Sequence, residues 1–167
     1  FIYVAAALFL KRAIDAGADI WRTTRVCNVV AALVFAPLLL LGGTTPPLGQ
    51  WWQPLLVALL FLCGQVLTMC ALRVGDVSVA TPVLGLKIIL VAFFTFAVLG
   101  HGLPLGIWAA AGLGSVGIAL LQFSRPKTAA HVGTTIVIAA LAAAAYALFD
   151  VLVQKWATQW GAGRFLP

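Results

Sequence analysis

Val79-Ala-Thr-Pro-Val-Leu-Gly-Leu-Lys87-Ile-Ile-Leu-Val-Ala-Phe-Phe-Thr-Phe-Ala-Val-Leu99 is an apolar run that carries a single charge. At about 1.5 Å per residue, a helix over this stretch spans roughly the 30 Å hydrocarbon core of a bilayer. A surface helix of a water-soluble domain would show a polar face, and none is present. Similar runs lie on either side, at Phe1 to Ile14, Val26 to Leu41, Pro54 to Leu72, Leu105 to Phe123 and Thr134 to Val153. Gly, Pro and charged residues separate them. The pattern predicts an all-α, polytopic transmembrane bundle of about six spans.

Composition agrees with that reading. Only 8% of residues are charged and 63% are hydrophobic, against about 25% charged in soluble domains, which leaves too little polar surface to coat a water-soluble globule. The net charge of +6 does not imply nucleic acid, because the basic residues stand singly or in pairs between apolar blocks and form no stripe. Cys27, Cys63 and Cys70 fall inside apolar runs with no paired motif and no neighbouring His, so they read as packing residues. Neither a metal nor a cofactor is expected. Lys11-Arg12 follow the first apolar run instead of preceding it, the wrong order for a cleaved leader, so that run reads as a transmembrane helix. Phe1 stands where an initiator Met would be and Pro167 follows an unfinished Gly161 to Leu166 run, so the chain reads as a fragment cut at both ends.

Short connectors at Arg73 to Asp76 and Gly100 to Pro104 make successive helices antiparallel neighbours. Lys11, Arg12, Arg22 and Arg25 occupy the first connector, Arg73 the third, Arg125 and Lys127 the fifth, while Gly42 to Gln53 and Gly100 to Pro104 hold no Lys or Arg. The positive-inside rule then puts the odd connectors in the cytoplasm. Tyr3 to Arg12 also overlays Tyr146 to Lys155 without a gap, 143 positions on. The second copy lies five spans on from the first, an odd offset, so it enters the membrane from the opposite face, as in an inverted-topology duplication.

Ala71-Leu-Arg-Val-Gly-Asp-Val-Ser-Val-Ala-Thr-Pro82, and Val98-Leu-Gly-His-Gly-Leu-Pro104 leading into Ser115-Val-Gly-Ile-Ala-Leu-Leu121, resemble the EamA type of the drug/metabolite transporter superfamily. The resemblance implies a ten-helix transporter of two inverted five-helix repeats. Residues 1–123 would be the first repeat, 124–133 the joint, and 134–167 the first helix of the second repeat. It implies a multi-pass protein of the cell's inner membrane, and no enzyme. The chain departs from the family pattern at His101, where relatives have Glu, and at Lys87-Ile88, where they commonly have Pro. Many relatives are described with the first helix starting in the cytoplasm, opposite to the loop count here.

Two charges lie at membrane depth. Lys87 is well inside its run, where a charge costs at least about 2.5 kcal/mol on insertion scales. It is either a contact for an anionic substrate group or one half of a structural pair. Asp150 is the acid deep in an apolar segment, with Tyr146 one turn before it and Gln154 one turn after it on the same helix face. Such a stripe should line a cavity, where a carboxyl can trade a proton against a substrate; the alternative is that Asp150 neutralises Lys87. The small multidrug transporters, a sister branch, resemble this in carrying an acid on their first helix. The position matching Asp150 in the first copy is Ala7, so a proton site would be asymmetric. Asn28, Gln65 and Tyr3 join the candidate pathway, with interhelical hydrogen bonding the alternative for Asn28, Gln65 and Thr68. Ala111, Ser115 and Ala119 form a small-residue ridge for helix packing. Trp51, Trp52 and Trp108 lie near helix ends as interface anchors, and His101 and His131 are loop residues. The reading is a secondary transporter of a small metabolite or drug, an exporter or permease working by alternating access, with protons as a possible partner. A lipid-intermediate flippase or a non-transporting membrane scaffold is the alternative. An intramembrane enzyme lacks the clustered acids, nucleophile with base, or paired metal ligands it would need, and no phosphate-binding loop points to ATP.

Overall fold

The second apolar run shows how these blocks fold and what ends them. In the computed structural model, which describes residues 9, 12–13, 15–44, 47–74, 77–100, 104–122 and 132–166, α1 spans Ile20–Phe35 and tightens into a 3-10 run at Ala36–Leu41. Pro37 has no N–H for the Leu33 carbonyl, and its ring crowds that carbonyl, so α-helical bonding stops there. Gly42 and Gly43, at φ 72° and 154°, turn the chain through backbone conformations that other residues avoid. A second 3-10 turn, Leu48–Gln50, leads into α2, Trp52–Val74. Pro54 sits in the first turn of α2, where a missing N–H breaks no bond.

α3 covers Val77–Gly85 and α4 Lys87–Leu99, and α4 ends at Gly100, whose N–H reaches the Phe96 carbonyl at 3.1 Å with φ 67°. α5 (Leu105–Gln122), α6 (Val132–Trp160) and the single turn α7 (Ala162–Phe165) complete the chain. All regular structure among the described residues is helical.

Three helical stretches are long and apolar enough to cross a membrane, Trp21–Leu41, Leu48–Val74 and Val132–Trp160, and two shorter apolar ones are Val83–Leu99 and Leu105–Gly117. Five of the six expected runs are thus apolar helices among the described residues, three of them of full membrane-spanning length. The run from Val79 to Leu99 is divided at Leu86. The Leu86 N–H bonds back to Val83, a 3-10 step, before the Leu90 N–H resumes α-helical bonding to Leu86, both at 3.0 Å. The first run, Phe1 to Ile14, falls almost wholly outside the described residues. Helix boundaries also move outward. α1 already begins at Ile20 because Arg22 and Arg25 are exposed helical positions and not loop, and α6 continues past Val153 through Gln154 and Lys155 to Trp160.

Contacts fix the helix directions. Asn28 meets Gln65 and Thr24 meets Met69, so α1 and α2 are antiparallel. Gln53 meets Trp160, Gly64 meets Tyr146, and Ala71 and Leu72 share a cluster with Ala139, so α2 and α6 are antiparallel as well. Lys87 meets Asp150 and Val98 meets Lys155, so α4 and α6 run the same way and the chain returns between them through α5. With α3 and α4 taken as one interrupted run, successive runs therefore alternate as the short connectors led one to expect.

α6 is the hub, packed against α2, α3 and α4. Its alanines make this possible: Ala139, Ala142, Ala143 and Ala147 are fully buried. Small side chains let helix backbones approach closely, which is how helices associate where lipid removes the hydrophobic driving force. At the far end of α6, Val57, Leu152, Trp156, Trp160 and Phe165 form an apolar cluster. Trp51 and Trp52 remain more than half exposed while meeting Trp160 and Trp156 edge-on, with ring centroids 5.7 and 5.2 Å apart. The buried Trp160 Nε1–H donates to Gln53 Oε1 at 2.9 Å, which satisfies both polar atoms.

Candidate functional site

Lys87 is the first residue of α4, immediately after the break at Leu86, and Asp150 lies in the C-terminal half of α6. Because the two helices run parallel side by side, Lys87 Nζ comes within 2.7 Å of Asp150 Oδ2. A cation in the first turn of a helix faces the positive end of the helix dipole, so α4 itself does not favour Lys87. The carboxylate of Asp150 supplies the compensating charge. The side chains are 38% and 39% exposed, so the pair is reachable and not sealed in the bundle.

Tyr146, one turn before Asp150, forms the floor of the site. Its ring lies on α2 where Gly64 leaves room; a Cβ at Gly64 would stand 3.0 Å from two ring atoms and 3.1 Å from a third. Lys87 Nζ is 5.6 Å from the ring centroid, within cation–π range. Phe61 packs against Tyr146 and Phe149, at centroid distances of 6.0 and 5.2 Å. A half-exposed ammonium, a half-exposed carboxylate and an aromatic face thus converge from α4 and α6, with α2 behind them. An anionic ligand group can compete with Asp150 for Lys87, and a proton or cation can compete with Lys87 for Asp150.

The remaining candidates are scattered over the bundle. Asn28 and Gln65 pair with each other: Asn28 Nδ2 donates to Gln65 Oε1 and to the Thr24 carbonyl, each at 3.0 Å. Beside them Thr24 Oγ1 donates to Met69 Sδ at 3.4 Å, and Thr68 Oγ1 donates to the Gly64 carbonyl at 2.8 Å. These bonds tie α1 to α2. Gln154 shares a helix with Tyr146 and Asp150 but is exposed, with no hydrogen bond among the described residues. Tyr3, His101, His131 and the side chain of Ala119 lie outside the described residues. On the small-residue ridge Ala111 is buried, and the hydroxyl of Ser115 is buried with no partner among the described residues. Cys27 and Cys63 are exposed and Cys70 half-buried, all as free thiols. Among the described residues no three His, Cys, Asp or Glu side chains gather as a metal site would require.

Two contacts around this site escape a reading of the sequence. Gly64 is one of many small residues in apolar runs, and only its place beneath Tyr146 gives it a role. Lys155, which sits beyond the apolar run, reaches across to the Val98 carbonyl at 3.3 Å. Compared with known proteins, residues 1–123 match the family model of the EamA-like transporter family. No curated protein and no solved structure matches the chain.

Proposed function

The chain belongs to the EamA-like transporter family, and on that premise we propose that it works as a secondary transporter whose central site is the Lys87–Asp150 pair. It is a multi-pass helical membrane protein of a transporter family, not an enzyme. The observation that carries the proposal is the 2.7 Å contact between two half-exposed opposite charges on two apolar helices, set at a break in one of them. Interrupted helices with charged groups near the midplane are where secondary transporters hold their cargo. In this reading a charged cargo group or a proton displaces one partner of the pair. The ion pair re-forms once the cargo has left on the other side, which gives alternating access coupled to proton movement.

In this reading the segment that matches the family is one five-helix repeat, and α6 opens a second, inverted half. Among the described residues, α6 runs parallel to α1 and opposite to α2. The cargo is a small metabolite or drug, and the membrane is the inner membrane of the cell. A second reading takes the pair as purely structural, since a contact of this length also neutralises two charges that would each be costly in hydrocarbon.

The test is cargo-driven proton movement in liposomes that contain the full-length protein, screened against small metabolites. Asp150→Asn abolishes proton movement while leaving the protein folded. Unchanged proton flux in that variant removes Asp150 from the mechanism.

A further inference from the structure

α6 grips α4 at both ends. Near the start of α4, Asp150 holds the Lys87 ammonium; near its end, Lys155 Nζ donates to the Val98 carbonyl. That carbonyl is among the last four of α4, which have no intrahelical donor. In hydrocarbon an unsatisfied carbonyl costs several kcal/mol, and a cation at a helix C-terminus meets the negative end of the dipole. Among the described residues no carboxylate pairs with Lys155, so the end of α4 is its counter-charge.

The spacing gives this contact a consequence for the site. Eleven residues along α4 separate Lys87 from Val98, and five along α6 separate Asp150 from Lys155. At about 1.5 Å per residue the two intervals differ by roughly 9 Å. The two lysine stems make up that difference together, so the reach of one sets the reach of the other. A 3-10 step at Leu86 joins α3 to α4, and α4 packs most extensively on α6.

We propose that Lys155 is a positioning residue: by holding the C-terminal end of α4 it fixes the register that brings Lys87 onto Asp150. Its importance for transport rests on the reading of that pair as the working site. The register itself does not, and it can be measured without a cargo.

The experiment is labelling of Asp150 by dicyclohexylcarbodiimide in membranes that contain the full-length protein, read by mass spectrometry of the Asp150 peptide. A carboxylate covered by its cation resists this apolar reagent, whereas one that has lost its cation is open to it. Lys87→Met sets the fully unprotected level. Lys155→Met is expected to raise labelling several-fold, towards that level, while Lys155→Arg, which keeps charge and reach, stays protected. If Lys155→Met does not accumulate in the membrane, Lys155→Gln, too short to reach the carbonyl, carries the same expectation. Wild-type protection in Lys155→Met or Lys155→Gln overturns the proposal, as does full labelling in Lys155→Arg. Labelling that behaves as expected while Asp150→Asn still moves protons would sink the transport reading and leave the positioning role of Lys155 standing.

Discussion

Gly64→Ala should change the sign of its effect according to what stands at position 146. A Cβ at Gly64 meets three atoms of the Tyr146 ring at 3.0 to 3.1 Å, closer than ordinary van der Waals contact. The ring cannot simply tilt away, because Phe61 packs against it at 6.0 Å and the Lys87 ammonium lies 5.6 Å from its centroid. Overpacking of this kind costs about 1–3 kcal/mol. Against that, Ala is better than Gly in a helix interior by about 1 kcal/mol. The net effect in the wild-type background is a loss of up to about 2 kcal/mol. In a Tyr146→Ala background the clash is gone and the same substitution should stabilise by about 1 kcal/mol. The double-mutant cycle therefore yields a coupling of about 1–3 kcal/mol between the two positions. Unfolding in mixed detergent and SDS micelles, followed by tryptophan fluorescence, measures each corner of the cycle. Equal effects of Gly64→Ala in both backgrounds would refute the stacking of Tyr146 on α2.

Trp160→Phe should cost about 1–3 kcal/mol in the same unfolding assay because it strands the buried Gln53 carbonyl oxygen, and adding Gln53→Leu should recover much of that loss. Gly163→Val should uncouple the turn at Gly42 from the end of α6, since a side chain at Gly163 runs into the Gly42 carbonyl, and into that of Leu38 at 2.6 Å. Proteolysis after Gly42 should then accelerate in membrane vesicles; cleavage at the wild-type rate would show that the turn does not depend on this contact.

Hydropathy reveals the apolar blocks because membrane depth demands them, and so the all-α bundle and the alternation of helix directions can be read from the sequence. It does not reveal where a helix breaks. The division at Leu86 falls between Gly85 and Lys87 in a run that is otherwise almost wholly apolar, and only backbone bonding exposes it. Charged residues mark loops only on average. Arg22 and Arg25 sit on an exposed stretch of α1, and the long α6 carries Gln154 and Lys155 past the apolar run. The site was partly legible for the same reason as the fold: a chain with so few charges at membrane depth has few ways to neutralise them, which pointed to Lys87 and Asp150. Asn28 and Gln65 turned out to meet each other across α1 and α2. Gly64 left no trace in the sequence, because a close approach between helices depends on which faces meet, and the register of the packed bundle decides that.

In the proposed mechanism Lys87 and Asp150 hold each other only until cargo or a proton separates them, so the identity of each charge on its own helix matters. Proton movement by the charge-swapped protein, Lys87→Asp with Asp150→Lys, reconstituted in liposomes after it has been shown to regain the stability lost in each single variant, tests this most directly. A site that works by exchange at Asp150 leaves the swapped protein folded but without cargo-driven proton movement. Flux at the wild-type rate with the same cargo would make the pair a structural tie and contradict the account.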